Sequence, residues 1–120
     1  MLVIRDKQKR AFRAHLSKRF ENKMIVHIEK FYPDHYAALS QENTRELIKY
    51  GIESAAHYDI VSERDVCKFI DLMIVFGPDF DKNPDSKWAS DILTDATHTH
   101  PGVKVDALYD AGMVEIKASL

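Results

Sequence analysis

Ser62-Glu63-Arg64-Asp65-Val66-Cys67-Lys68-Phe69-Ile70-Asp71-Leu72-Met73-Ile74-Val75-Phe76-Gly77-Pro78 carries a helix start, an apolar body and a stop in one run. Ser62 can accept from the backbone N–H three residues on, and Glu63 and Asp65 put negative charge at the positive end of the helix. Asp65 is shorter than the Glu or Gln of a full capping box. From Phe69 to Phe76 the run is apolar on nearly all sides, so it is expected to be the central, most buried helix. Gly77 is placed to end it in a left-handed cap, and Pro78 follows.

Upstream, Asp6 to Phe31 holds neither Gly nor Pro. Phe12, Leu16, Phe20, Met24, Ile28 and Phe31 recur every three or four residues, the stripe of an amphipathic helix that Pro33 stops. Asp34 to Leu39 reads as a short connector. Ser40 reads as the N-cap of a helix through Tyr58, with Leu47, Ile48, Ile52, Ala55 and Tyr58 inward. Gly51 inside that helix costs about 1 kcal/mol relative to Ala, which close approach of a second helix would explain. Downstream, Gly77 to Asp85 reads as a polar loop and Ser86 as the cap of a short helix from Trp88 to Leu93. Pro101 opens a last helix with Val105, Leu108, Tyr109 and Ile116 inward. Residues 112–118 also alternate as a strand would, but no partner strand is in view, so helix is preferred. The expectation is an all-α protein: a single domain over 1–120, an orthogonal bundle of about five helices around 63–76.

Composition narrows the function. The chain has 120 residues, 45% of them hydrophobic, enough for a core without staples. It has one cysteine, Cys67, so no internal disulfide. No apolar run suits a signal peptide or a membrane span. A cytoplasmic location is expected. Net charge is −2, but residues 1–30 carry nine bases against three acids, and residues 31–120 eight bases against sixteen acids. A basic first helix stands on an acidic body.

No candidate catalytic or metal-ligating pattern is complete. Asp79-Phe80-Asp81-Lys82-Asn83-Pro84-Asp85 begins like a calcium loop, but the sixth position is Pro84 where Gly is needed, and the twelfth is Ser90 where Glu is needed. His98-Thr99-His100 offers two imidazoles without a third ligand at local spacing. Cys67 needs a neighbouring base and a lowered pKa to act as a nucleophile, and its apolar neighbours point to a structural thiol. His27 lies near the first stripe and reads as a hydrogen-bonded core histidine. Asp65 with Asp71, or Glu42 with Glu46, are not set apart from other helix acids. No catalytic residue, cofactor or metal is assigned. The basic first helix raises a nucleic-acid regulator as an alternative, but its aromatics belong to the core stripe and the chain is acidic overall.

Gly51-Ile52-Glu53-Ser54-Ala55-Ala56-His57-Tyr58-Asp59-Ile60 followed by Ser62-Glu63-Arg64-Asp65-Val66, Phe69, Leu72, Gly77-Pro78-Asp79-Phe80-Asp81, Trp88-Ala89 and Ile92-Leu93-Thr94-Asp95 resembles a family of small helical bacterial proteins. Ile4-Arg5-Asp6-Lys7-Gln8 and Phe12 fit as well. The genes of that family often stand beside type VI secretion effectors and PAAR or VgrG spike components. The resemblance implies a non-enzymatic adaptor or chaperone that binds a secreted toxin or spike protein. The alternative it implies is an immunity protein that neutralises the toxin. Interface residues are sought on the basic face (Arg10, Arg13, Lys18) and on the acidic loop (Asp79, Asp81). Charge reversal at Arg10 and Arg13 is expected to weaken partner binding if that face docks; unchanged affinity by titration calorimetry would exclude it.

Overall fold

The structure is a computed structural model that describes residues 16–95 and 100–119. It is all-α. A π-helical turn, Leu16–Phe20, leads into α1 (Glu21–Phe31), followed by α2 (Pro33–Ala56), α3 (Glu63–Phe76), a 3-10 turn (Pro84–Ser86), α4 (Lys87–Leu93) and α5 (Pro101–Ser119). No described helix is long and apolar enough to cross a membrane. The expected residues 112–118 are helical, inside α5. Arg10, Phe12 and Arg13, and the first part of the expected first helix, lie outside the described residues.

α3 is the centre, and its ends follow the local chemistry. Asp65 N–H donates to Ser62 Oγ at 3.2 Å. Gly77 closes on Met73 O at 2.9 Å with φ 109, positive as expected but wider than a left-handed helical cap. Val66, Phe69, Ile70, Leu72, Met73 and Ile74 are buried. Val75 departs from the expectation: it is 44% exposed and lines a shallow groove with Tyr32, Tyr109 and Met113.

Around α3 the other helices pack with three corrections to the sequence reading. Phe31 is 59% exposed, because the buried face of α1 runs through Phe20, Met24, Ile25 and Ile28 towards Tyr32. Phe31 stands at its edge against the His27 ring. Residues 34–39 are helix rather than connector. Pro33 interrupts only Tyr32 (φ −134, ψ 58), and Tyr36 N–H already donates to Tyr32 O at 3.0 Å. Within α2 the break falls at Ser40, with φ 72 and ψ 166. Its side chain does accept from Asn43 N–H, at 3.5 Å, as a weak internal N-cap. The third correction is at 83–86: Asn83, not Ser86, accepts the capping bond, from Asp85 N–H at 2.9 Å, while Ser86 is buried without a cap bond.

α2 ends at Ala56, two residues before the expected Tyr58. Asp59 adopts a left-handed conformation (φ 63), its N–H donates to Ala56 O, and Ile60 N–H reaches back to Ala55 O, both at 3.0 Å. That is a Schellman closure with aspartate where glycine is usual. Ile60 is thereby buried and Tyr58 is turned towards the 77–83 loop.

Gly51 permits the α2–α3 contact. A Cβ there would stand 2.6 Å from Ile70 Cγ1 and 3.0 Å from Met73 Sδ. Gly51→Ala gains about 1 kcal/mol of helix propensity but overpacks the core at a cost of about 1–3 kcal/mol. Net destabilisation is expected in urea unfolding, and a stabilised variant would contradict the close approach. Ser40→Gly should do the reverse. It relieves a backbone conformation that costs about 1–3 kcal/mol for a non-glycine residue and gives up only a long cap bond, so the midpoint should rise.

Candidate functional site

Among the described residues, two clusters that bring chemistry-bearing side chains together stand out. The first lies where α2 meets the loop after α3. Phe80 anchors that loop: it is buried, with its ring centroid 5.2 Å from Phe69 and 6.4 Å from Trp88. The backbone turns around it, Phe80 N–H to Gly77 O, Lys82 N–H to Asp79 O and Asn83 N–H to Asp79 O. The alternate oxygens of the calcium-like stretch are engaged by protein donors. Asp79 accepts from Tyr50 Oη, Asp81 Oδ2 from Tyr58 Oη at 2.7 Å, and Asn83 Oδ1 from Asp85 N–H.

Asp81 is not the exposed charge of an open acidic loop. It is 3% exposed, and its Oδ1 has no hydrogen-bond partner among the described residues. It lines a pocket of about 220 Å³ with Tyr50, Glu53, Ser54, His57 and Lys82. Tyr50, Glu53 and Ser54 come from consecutive turns of α2, and His57 is the residue that caps its C-terminus. The bond to Asp79 raises the Tyr50 hydroxyl pKa, and burial, followed by the bond to Asp81, raises that of Tyr58. Both phenols therefore stay protonated donors to carboxylates. Lys18, the described member of the expected basic face, is exposed and far in sequence from this pocket. Asp79 is exposed at the loop surface and joined to the pocket through Tyr50.

The second cluster sits between α1 and α3. His27 Nε2 is 2.8 Å from Asp71 Oδ1 and 3.8 Å from Cys67 Sγ. His27 is hydrogen-bonded as expected, with Asp71 as partner, but it is partly exposed at the helix interface rather than a core residue. Cys67 is half-buried rather than a core thiol. Rings of Phe31 at 4.9 Å and Tyr32 at 6.2 Å flank the imidazole. Thiol and carboxylate meet the same ring nitrogen, whereas a nucleophilic triad uses the two nitrogens for the two partners. Burial, then the Asp71 carboxylate, push the Cys67 thiol up to about 11. Burial also raises Asp71 against the lowering effect of His27, and burial and Asp71 push the Tyr32 hydroxyl up to about 12. An unactivated thiol is the result.

His100 has a structural task. Its Nδ1 accepts from Gly102 N–H at 3.1 Å at the start of α5; His98 lies outside the described residues. Arg64 and Lys68 both reach Asp106, at 2.7 and 2.9 Å, and join α3 to α5. Comparison of the chain with protein-family models, curated proteins and solved structures finds no match.

A thiol pKa near 11 fixes the alkylation behaviour of Cys67. The folded state holds the proton that an unfolded chain releases near 9, so at pH 8 the thiolate is roughly a hundredfold scarcer than in the denatured chain. Iodoacetamide labelling of the native protein should be slower by about that factor and should accelerate as pH rises towards 11. The same sign makes this group lower the protein's stability as pH climbs above 9.

Proposed function

We propose that this chain is a non-enzymatic protein-binding module that receives a basic side chain of its partner in the Tyr50–His57–Asp81 pocket. Asp81 Oδ1, buried at the edge of that pocket and without a hydrogen-bond partner among the described residues, carries the reading. A buried polar atom without a partner costs about 1–3 kcal/mol, and a guanidinium or ammonium supplies the donors it lacks. Tyr50, 41% exposed, offers an aromatic face beside the carboxylate. The acidic surplus of residues 31–120 favours a basic partner and repels phosphate, which disfavours the nucleic-acid alternative.

The resemblance over residues 4–95 points to the partner's class: a type VI secretion effector or spike component, bound in the cytoplasm before export. The chain is then an adaptor or chaperone, and an immunity protein is the second role that the resemblance supports. Loss of effector export without self-intoxication distinguishes the first; rescue of cells from the toxin distinguishes the second.

Asp81→Asn tests the binding reading, because the amide can still accept from Tyr58 but loses the negative charge. Its thermal midpoint should stay close to that of the parent. Its affinity for the proposed effector or spike partner should fall at least about tenfold, or about 1.4 kcal/mol. Equal capture of the partner by both forms would sink the proposal.

A further inference from the structure

We propose that His27, Cys67 and Asp71 form a binding site for a borderline divalent transition metal, Zn²⁺ or Co²⁺. Their ligand atoms lie within 4.8 Å of one another. Cys67 and Asp71 stand four residues apart on α3, so they share one face of it. His27 reaches them from α1. For bonds of about 2.3 Å to sulfur and about 2.0 Å to nitrogen and oxygen, tetrahedral ligands stand roughly 3.3–3.6 Å apart. The Nε2–Sγ separation of 3.8 Å is already near that, and the Nε2–Oδ1 separation of 2.8 Å has to open by roughly half an ångström.

The ligand chemistry selects the ion. A thiolate and an imidazole suit Zn²⁺ and Co²⁺, whereas Ca²⁺ and Mg²⁺ take oxygen. Asp71 is 13% exposed and His27 26%, so the ion would be held in a partly dry seat between two helices. The Phe31 and Tyr32 rings limit rotation of the imidazole. Three protein ligands leave the fourth position open, as in metal sites that exchange a water or a donor group. An open cleft of about 300 Å³ beside His27 and Cys67, bordered by Lys23, Glu63 and Arg64, gives that position access.

On binding, the S–H bond of Cys67 is replaced by an S–metal bond, and the thiol proton passes to water. The imidazole gives up the Nε2 proton that it donates to Asp71 in the metal-free site, by a tautomer shift through solvent water, and binds through Nε2 as a neutral ring with its one proton on Nδ1. The Asp71 carboxylate exchanges its His27 hydrogen bond for a bond to the ion. No electron changes hands.

Co²⁺ titration of the purified full chain tests the site. Cys67 is the chain's sole cysteine, so a thiolate-to-cobalt charge-transfer band reports on this site alone. One equivalent of Co²⁺ should raise that band together with tetrahedral d–d absorption, and Zn²⁺ should abolish both. Cys67→Ser should remove the charge-transfer band. Asp71→Asn should weaken binding by more than the roughly tenfold that loss of an outer-shell partner costs. The double variant His98→Ala/His100→Ala should keep the band. A wild-type titration without the charge-transfer band overturns the proposal, whatever the variants do. So does Co²⁺ binding that is unchanged in Cys67→Ser and lost in the His98/His100 variant.

Discussion

The whole arrangement depends on how closely α2 can approach α3 at Gly51. Ile70 and Met73 occupy the space where a Cβ would stand. With that contact made, Ile48, Ile52 and Ala55 close over the buried face of α3. The cost of glycine in a helix, about 1 kcal/mol, is offset by apolar burial worth about 1.5–3 kcal/mol per large side chain. The opposite consequence is positional. The same α2 segment carries Tyr50 and Ser54, with its C-cap residue His57, to the loop that follows α3.

Phe80 then converts a polar loop into a fixed one. Its ring sits between Phe69 and Trp88, and the loop backbone closes on itself around it. Asp81, next in the chain, is drawn below the surface, where Tyr58 satisfies one carboxylate oxygen and leaves the other at the pocket. The Schellman closure at Asp59 matters for the same reason, since it sets the place of Tyr58. A buried carboxylate with one committed oxygen is a directional acceptor, which a solvated surface acid is not.

What could be read from the sequence was local. The Ser62 cap, the buried α3 run, the Gly77 stop and the helical last segment rest on residues within a turn or two of each other. The close approach at Gly51 was legible because glycine inside a helix needs a reason. Contacts between distant residues were not legible. His27 is 40 residues from Cys67 and 44 from Asp71, so their convergence left no local spacing. Cys67 and Asp71 at i and i+4 were the only available hint. Asp81 read as exposed because its neighbours Asp79, Lys82 and Asn83 are polar; burial came from Phe80, whose ring partners lie elsewhere. Phe31 fitted the stripe by spacing, but Tyr32, held by the constraint of Pro33, continues the buried face instead.

The pocket at Asp81 is the central claim, and its most direct test is a residue-resolved map of the bound state. Backbone ¹H–¹⁵N correlation spectra would be recorded with and without the proposed effector or spike partner. The account predicts that the largest shifts gather at Tyr50, Ser54, His57, Asp81 and Lys82. Shifts confined to the first thirty residues, or to the Val75–Met113 groove, would contradict it.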